Sequence, residues 1–425
     1  MREPPSPSAG EFVQAQEFGN SDWHENIFCM NSDQPVATPF SHDRTALALP
    51  DHILFDLIED FMESPLPAIG KVAQVCREYQ DSLSNPIFWK LKLYDRFDSQ
   101  FFHPSFTPLC QKDPKKVYQA THTLEKTFTR GLFNAKSNFR TPNSIITAIR
   151  IHKGKLVVGQ SDGTVKFIDL SHDGGREQEE GGGHGHSHPN KAGVSCLAPM
   201  GSGIVSGHMD GTFMLHNPTT GDHRLHVIQE FSRVSSVSSV SDSLILTSST
   251  ADRSIQLYDL ERQSSILSKR TSPDALPHSV SSRSSLGIIG HRDKKVRLID
   301  FRAGEYIAAL DMDNWCLCVE AGIADHILRA SDKAVKTFDI RSSNQPCDVR
   351  HGTRRLISQF KSDSKLRLVS CGLDGQVLVS SLEPCNSPEH PRPVHACDDY
   401  ILSVDFDRTR LACGGINGKY NLFTF

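Results

Sequence analysis

The chain has 425 residues, with 46 Lys and Arg against 50 Asp and Glu, a formal net charge of −4 and a hydrophobic fraction of 37%. That balance excludes a general nucleic-acid binder, whose footprint is clustered positive charge, and the modest apolar fraction suits many short, half-exposed strands better than one thick core. No apolar run approaches the ~18 residues of a membrane span, and the opening MREPPSPSAG lacks the apolar stretch of a secretion signal. A cytosolic or nuclear location is therefore expected, with no membrane partner and with the 11 cysteines as reduced thiols.

Residues 1–44 carry many Pro, Ser and Asp residues without a periodic apolar pattern and are expected to be disordered. Residues 45–97 predict three short helices. Pro50 opens the first, with Ile53-Leu54, Leu57-Ile58 and Phe61-Met62 at helical spacing. Val72, Val75-Cys76 and Tyr79 share a face of the second, and Asn85-Pro86 starts a third that carries Phe88, Trp89 and Leu93. Three short helices make a marginal core, and such a module completes its burial against a partner. Asp113-Pro114 marks another helix start within an expected helical linker over 98–123.

From residue 124 onward the chain repeats. In TADRSIQLYDL, Asp252 and Asp259 stand seven apart across an alternating run. The interval recurs at Asp162 and Asp169, Asp210 and Asn217, Asp293 and Asp300, and Asp332 and Asp339, with weaker copies at Asp374 and Ser381 and at Asn417 and Thr424. The first position advances in steps of 48, 42, 41, 39, 42 and 43 residues, the spacing of a four-stranded propeller blade. Strand-like runs precede each copy, such as 155–159 and 145–149 before Asp162. The first Asp of each pair is expected in a tight turn, accepting nearby N–H bonds. The chain stops after the third strand of the seventh copy, so segment 123–133 (TLEKTFTRGLF) is expected to supply the fourth strand and close the ring.

Over roughly 125–425 this pattern resembles the WD40 repeat family. It departs from the family in lacking Trp-Asp endings, which read Ile168-Asp169, Tyr258-Asp259, Ile299-Asp300 and Phe338-Asp339, and in lacking Gly-His between blades. Leu49-Pro50, Ile53-Leu54, Ile58, Val75-Cys76-Arg77 and Trp89 resemble the F-box in order and spacing, with Tyr79 where that family usually has another aromatic and two prolines, Pro65 and Pro67, between helices 1 and 2. The expected architecture is mainly β: a seven-bladed WD40 β-propeller over 124–425, preceded by a three-helix F-box over 45–97 and the helical linker.

By resemblance, that order of modules implies a substrate receptor of SCF-type cullin–RING ubiquitin ligases. Leu49, Pro50, Ile53, Leu54, Ile58, Val75 and Trp89 would then contact a Skp-type adaptor, through which cullin and RING subunits join, and the propeller would bind a protein substrate for ubiquitination and proteasomal degradation. Arg253, Arg292, Lys294, Lys295 and Lys333 fall in matching turns of successive copies, where family members that read phosphorylated degrons place arginines, a guanidinium bonding two phosphate oxygens at once. Ordinary solvated turn charge gives the same pattern. The alternative function is a non-catalytic scaffold without a cullin-dependent role. No GxSxG, HExxH, P-loop or Rossmann fingerprint is present, so neither enzymatic activity nor a cofactor is expected. His184, His186 and His188 are expected to sit in a long loop, with no metal, and Cys316 and Cys318 to be buried thiols on one strand face.

Overall fold

The computed structural model describes Pro86, Trp89, Lys90 and Leu93, and then residues 113–425 apart from 142, 171–184, 188–190, 219–222, 228–231, 323–325, 342–343, 364–366, 383–390 and 398. The expected tail 1–44, the first two predicted helices, most of the third and His184 and His188 lie outside the described residues. Of the predicted third helix, Pro86, Trp89, Lys90 and Leu93 are helical.

Helix α1 (Pro114–Thr129) begins where the sequence indicates, with Asp113 as N-cap accepting the Lys116 N–H and proline in the first turn. It then runs through most of the segment expected to be a strand. Tyr118, Thr121, Glu125 and Phe128 are buried at helical spacing, and the threonines that favour a strand are satisfied within the helix: Thr121, Thr123, Thr127 and Thr129 donate to carbonyls four residues back at 2.7–3.0 Å. Gly131, at φ +67°, ends it, with Gly131 N–H bonded to Phe128 O and Leu132 N–H to Thr127 O, the paired bonds of a Schellman motif. The strand that closes the ring is therefore Ala135–Arg140 rather than 123–133.

Seven four-stranded antiparallel sheets follow, the blades of a β-propeller. Blades 1 to 6 are consecutive in sequence, built within 146–187, 194–227, 236–270, 277–311, 318–350 and 357–396. Blade 7 takes three strands from 401–424 and its outermost from Ala135–Arg140, paired Ala135 to Thr424 through Arg140 to Lys419. Fastening the first strand to the last leaves no open edge between the ends of the array.

Each innermost strand faces a central channel and would expose a row of backbone N–H groups. Polar side chains from the preceding blade satisfy them. Val280 N–H donates to Ser236 Oγ (3.2 Å), Val319 and Ala321 N–H to Ser279 and Ser281 Oγ (3.0 Å each), and Ser362 N–H to Glu320 Oε2 (2.9 Å). Val404 N–H donates to Gln359 Oε1 (3.1 Å), and Ile149 and Ile151 N–H donate to Ser403 Oγ and Asp405 Oδ2 (2.8 Å each). Cys196 and Cys318 occupy the register of these serines. Cys316 and Cys318 do not share a face as expected. The strand begins only at Cys318, so Cys316 packs between blades 4 and 5 while Cys318 lines the channel.

Apolar residues between blades make the core, and α1 joins it at the base of blade 7. Phe128 packs on Phe406 and Phe425, with ring centroids 5.3 and 4.4 Å away, beneath the Arg367 guanidinium, and Arg408 donates to Thr121 Oγ1 (2.7 Å). Trp89 is buried against Tyr118 of α1, its ring 5.4 Å away, with Lys115 over it.

In the loop from blade 5 to blade 6, His351 bridges Ser370 Oγ (2.7 Å) and Ser380 Oγ (2.6 Å) on the two middle strands of blade 6. Burial first, and Arg350 second, push its pKa down to about 3. The unfolded chain, at an ordinary 6.5, then binds a proton that the folded protein refuses, so this contribution is complete above pH 6.5 and declines as pH falls toward 3. At ~1.4 kcal/mol per pH unit, about 3 kcal/mol is lost by pH 4. Urea midpoints measured from pH 7.5 to 4 are expected to fall, and the fall is expected to be shallower in His351→Gln.

Candidate functional site

The repeated carboxylates fix one end of the propeller. Asp162, Asp210, Asp332, Asp374 and Asn417 each accept, through the side-chain oxygen, the backbone N–H two residues on at 2.9–3.2 Å, closing an Asx turn between the second and third strands of their blades. Several also reach the loop that enters a neighbouring inner strand. Asp252 accepts Ser232 N–H and Oγ–H (2.8 Å each) and Ser249 Oγ–H (2.5 Å). Burial alone raises its pKa, but the bonds from Ser249 and Ser232 outweigh that and hold the carboxyl below its ordinary value. Asp332 accepts Asp313 and Asn314 N–H (3.1 and 3.2 Å) and Lys336 Nζ (3.1 Å). Asn417 donates to Asp399 (3.0 Å). These bonds seat Arg233, Trp315 and Tyr400, which lie just ahead of the inner strands.

A second backbone pattern sets the rim beside them. Ser161, Met209, Arg292, Leu373 and Ile416, each directly before a turn Asp or Asn, donate their N–H to Ile145, Gly193, Leu276, Leu356 and Tyr400, each directly before an inner strand. The two sets ring the channel mouth. Ten large hydrophobic side chains are exposed among the described residues, and five of them, Ile145, Met209, Trp315, Tyr400 and Ile416, stand on this rim. Apolar exposure is thus concentrated where a partner could cover it.

The mouth opens into a cavity of about 800 Å³ lined by all seven blades. Among the described residues its lining includes Arg150, Arg233, His278 and Arg292, and no Asp or Glu. Arg150 belongs to blade 1 and Arg233, His278 and Arg292 to blades 3 and 4, while blades 5 to 7 contribute Trp315, Leu317, Leu356, Leu373, Leu402 and Ile416. Arg292 lies over the Trp315 ring (5.5 Å to the centroid), and its Nε is buried without a hydrogen-bond partner, as is His278 Nδ1. Burial first, then Arg292 and Arg233, push the His278 pKa down to about 4, so the imidazole is neutral at pH 7 and can donate one N–H to an anion. On the opposite side of the mouth Arg355 lies over Tyr400 and donates to its hydroxyl (3.2 Å).

Of the five basic residues singled out in the sequence, Arg292 alone lines this cavity. Arg253, Lys294 and Lys333 fill the turn position held by Gly163, Gly211, Gly375 and Gly418 in the other blades, Arg253 and Lys294 at φ +55° and +63°. Their carbonyls accept the N–H of Thr271, Met312 and Thr353 at the far end of the outer strand or the loop after it. Lys295 pairs with Asp311 (3.5 Å) on the outer strand of blade 4. Arg233, His278, Trp315 and Tyr400 were not singled out as binding residues. Aligning the copies on the inner strand instead of the turn brings Ile145, Gly193, Arg233, Leu276, Trp315, Leu356 and Tyr400 into one column, where a charge and two large aromatics stand out. Leu49, Pro50, Ile53, Leu54, Ile58 and Val75 lie outside the described residues, and the Trp89 ring is covered by α1.

Among the described residues no group of His, Cys, Asp and Glu is arranged to hold a metal ion, and no helix is long and apolar enough to cross a membrane. The buried histidines are engaged structurally: Ser206 Oγ bridges His208 and His216 (2.8 and 2.7 Å), and His208 and His291 contact Ala192 O and Ala275 O.

No family model and no curated protein matches the chain. Among solved structures it is similar to the computationally designed Ika8 protein, at 17% identity and a TM-score of 0.49, covering 66% of this chain and 96% of that one.

The turn carboxylates are expected to limit both stability and the order of the mouth. Asp332 and Lys336 are 3% and 8% exposed in their side chains. Asp332→Ala leaves Lys336 with Asp313 (2.6 Å), an exposed carboxylate, as its remaining partner and takes the acceptor from the Ala334, Asp313 and Asn314 N–H groups, and is expected to cost about 2–3 kcal/mol, read as a lowered denaturant midpoint. Trp315 fluorescence, quenched by the solvent its freed loop admits, is expected to change in the native baseline of the same titration.

Proposed function

We propose that this chain is the substrate-recognition subunit of an SCF-type ubiquitin ligase, with the propeller as its protein-binding module and residues 45–97 as an F-box. The observation that carries the proposal is the channel mouth: Arg233 and Arg292 beside a neutral His278, with Arg292 Nε and His278 Nδ1 buried without a hydrogen-bond partner, next to the apolar residues of blades 5 to 7, suit a protein segment bearing an anionic side chain, such as an acidic or phosphorylated degron. The position of α1 fits this use. Phe406, against which α1 docks, ends the inner strand that starts at the mouth with Ile401, so the helix leading back to the F-box is anchored to the end of blade 7 opposite the mouth. A receptor of this kind holds its substrate at a set distance from the ubiquitin-loaded enzyme and contributes proximity, with no bond made or broken by its own side chains. The adaptor would bind the apolar surface of Leu49, Pro50, Ile53, Leu54 and Ile58, bringing in cullin and RING subunits in the cytosol or nucleus.

A pull-down of the intact chain beside an alanine variant of Leu49, Pro50 and Ile58, read by mass spectrometry, tests this reading. The intact chain is expected to recover adaptor, cullin and RING subunits together and the variant to lose all three, while both retain proteins bound at the mouth. Recovery of the adaptor without a cullin would make the chain a scaffold instead, and recovery of neither would remove the F-box assignment.

A further inference from the structure

Among the described residues, two hydroxyl side chains stand directly before a proline, those of Thr141 and Ser272. Thr141 is buried and donates to Gly418 O (3.0 Å). Ser272, in the loop from blade 3 to blade 4, is exposed, as are Pro273 and Asp274. Its carbonyl accepts Ala275 N–H (3.0 Å), so a single backbone bond closes the turn Ser272-Pro273-Asp274-Ala275. The loop is pinned at both ends to turns that carry an arginine. Thr271 donates its N–H and its hydroxyl to Arg253 O (2.7 and 3.0 Å). Ala275 O meets His291 Nδ1 (3.1 Å), and Leu276 O accepts Arg292 N–H (3.0 Å). The carboxylates of those turns are already engaged, Asp252 by Ser232 and Ser249 and Asp293 by Arg297. Arg253 and Arg270 are exposed, and Arg292 Nε has no hydrogen-bond partner.

We propose that Ser272 is a phosphorylation site for a proline-directed kinase and that its phosphate pairs with Arg253 and Arg292, placing an anion of the chain's own on the cationic side of the mouth. The transfer forms a bond from Ser272 Oγ to the γ-phosphorus of ATP as the bridge to the β-phosphate breaks. ADP leaves with the electron pair, and the hydroxyl proton passes to the kinase's catalytic carboxylate. One backbone bond is worth about 1 kcal/mol net, so opening the turn to a kinase costs little. The phosphate carries about −1.5 to −2 charge at pH 7 and suits the forked donors of arginine. Asp274 adds like charge in the same turn, against the three arginines Arg253, Arg270 and Arg292. The phosphate then competes with an external anionic segment at Arg292, a consequence that rests on the reading of the mouth as a protein-binding site. The modification itself does not rest on it, nor does it require the F-box.

The site is tested by treating the folded full chain with a purified cyclin-dependent kinase and ATP and mapping phosphate by mass spectrometry. Phosphate is expected on Ser272 and is expected to vanish from that position in Pro273→Ala, and its absence from Ser272 in the folded chain overturns the site. The contact is tested on a full chain with phosphoserine incorporated at position 272 during synthesis as its sole phosphate, followed by phosphorus NMR from pH 8 to 5. Arginine pairing is expected to hold the second ionisation about one unit below the ~6 of a free phosphoserine, and Arg253→Gln with Arg292→Gln to return it. An equal midpoint with and without the two arginines, in chains whose thermal melts agree, overturns the pairing. Competition is read from the fluorescence of Trp315, whose ring lies beneath Arg292, the signal being assigned by its loss in Trp315→Phe. Inorganic phosphate is expected to change it in the unmodified chain and to leave it unchanged in the phosphoserine chain. An equal response in both chains overturns the competition. No response in either overturns the anion reading of the mouth, and the phosphorus titration judges the Ser272 contact by itself.

Discussion

The geometry of the channel mouth depends on one kind of side-chain-to-backbone interaction: a turn carboxylate or amide that accepts backbone N–H groups. In blade 5, Asp332 bonds Ala334 N–H within its own turn and the N–H groups of Asp313 and Asn314 in the entering loop, so one carboxyl sets the hairpin and the approach of the strand after it. A charged acceptor suits the task because charge-assisted bonds are about twice as strong as neutral ones. Blade 4 shows what happens when that acceptor is diverted. Asp293 is taken by the fork of Arg297, and the entering loop is held instead by Arg292 N–H on Leu276 O and by His291 on Ala275 O. Blade 4 is also the blade of Arg292 and His278, the two groups with partnerless nitrogens at the mouth.

The channel imposes the second constraint. Seven inner strands each leave backbone donors facing inward, and an unpaired buried N–H costs as much as a lost hydrogen bond. Serine answers this economically, being small enough for a narrow channel and able to accept from the next blade. Hence the runs Ser235-Ser236-Val237-Ser238-Ser239 and Ser279-Val280-Ser281-Ser282, which alternate channel-facing hydroxyls with a core valine. Glu320, Gln359 and Asp405 take the same role with longer side chains, and Lys361 pairs with Glu320 at 3.0 Å. Acidic groups thus lie along the channel wall and in the turns, and none is among the described residues that line the cavity.

The repeat was legible because its defining residues act locally. An Asp bonding two residues ahead, a glycine at positive φ and a strand of alternating residues each leave a mark within ten positions, and seven such marks at a blade's spacing specify the propeller. The closing strand was misplaced because segment 123–133 is rich in β-branched residues whose hydroxyls, in context, return to the helix backbone, and because Phe128 gains more from Phe406 and Phe425 than a strand there would offer. The site was only partly legible for a geometric reason. The basic residues that stand out in the turns, Arg253, Lys294 and Lys333, occupy the glycine position, beyond the residues that line the mouth. The mouth is formed by residues two alignment columns away that come together only when seven blades close into a ring.

Charge pairing separates the mouth from the rest of the surface. On the outer strands and turns, cations find acids: Lys269 with Glu305, Lys295 with Asp311, Arg341 with Asp339. Such exposed pairs contribute little to stability, but they neutralise the wall of the propeller and deny it to charged partners. At the mouth Arg292 is held by Trp315 and Arg355 by Tyr400, contacts that orient a guanidinium without consuming its positive charge. An arginine stacked on an aromatic is already ordered and so loses less entropy on meeting an anion than a free lysine would.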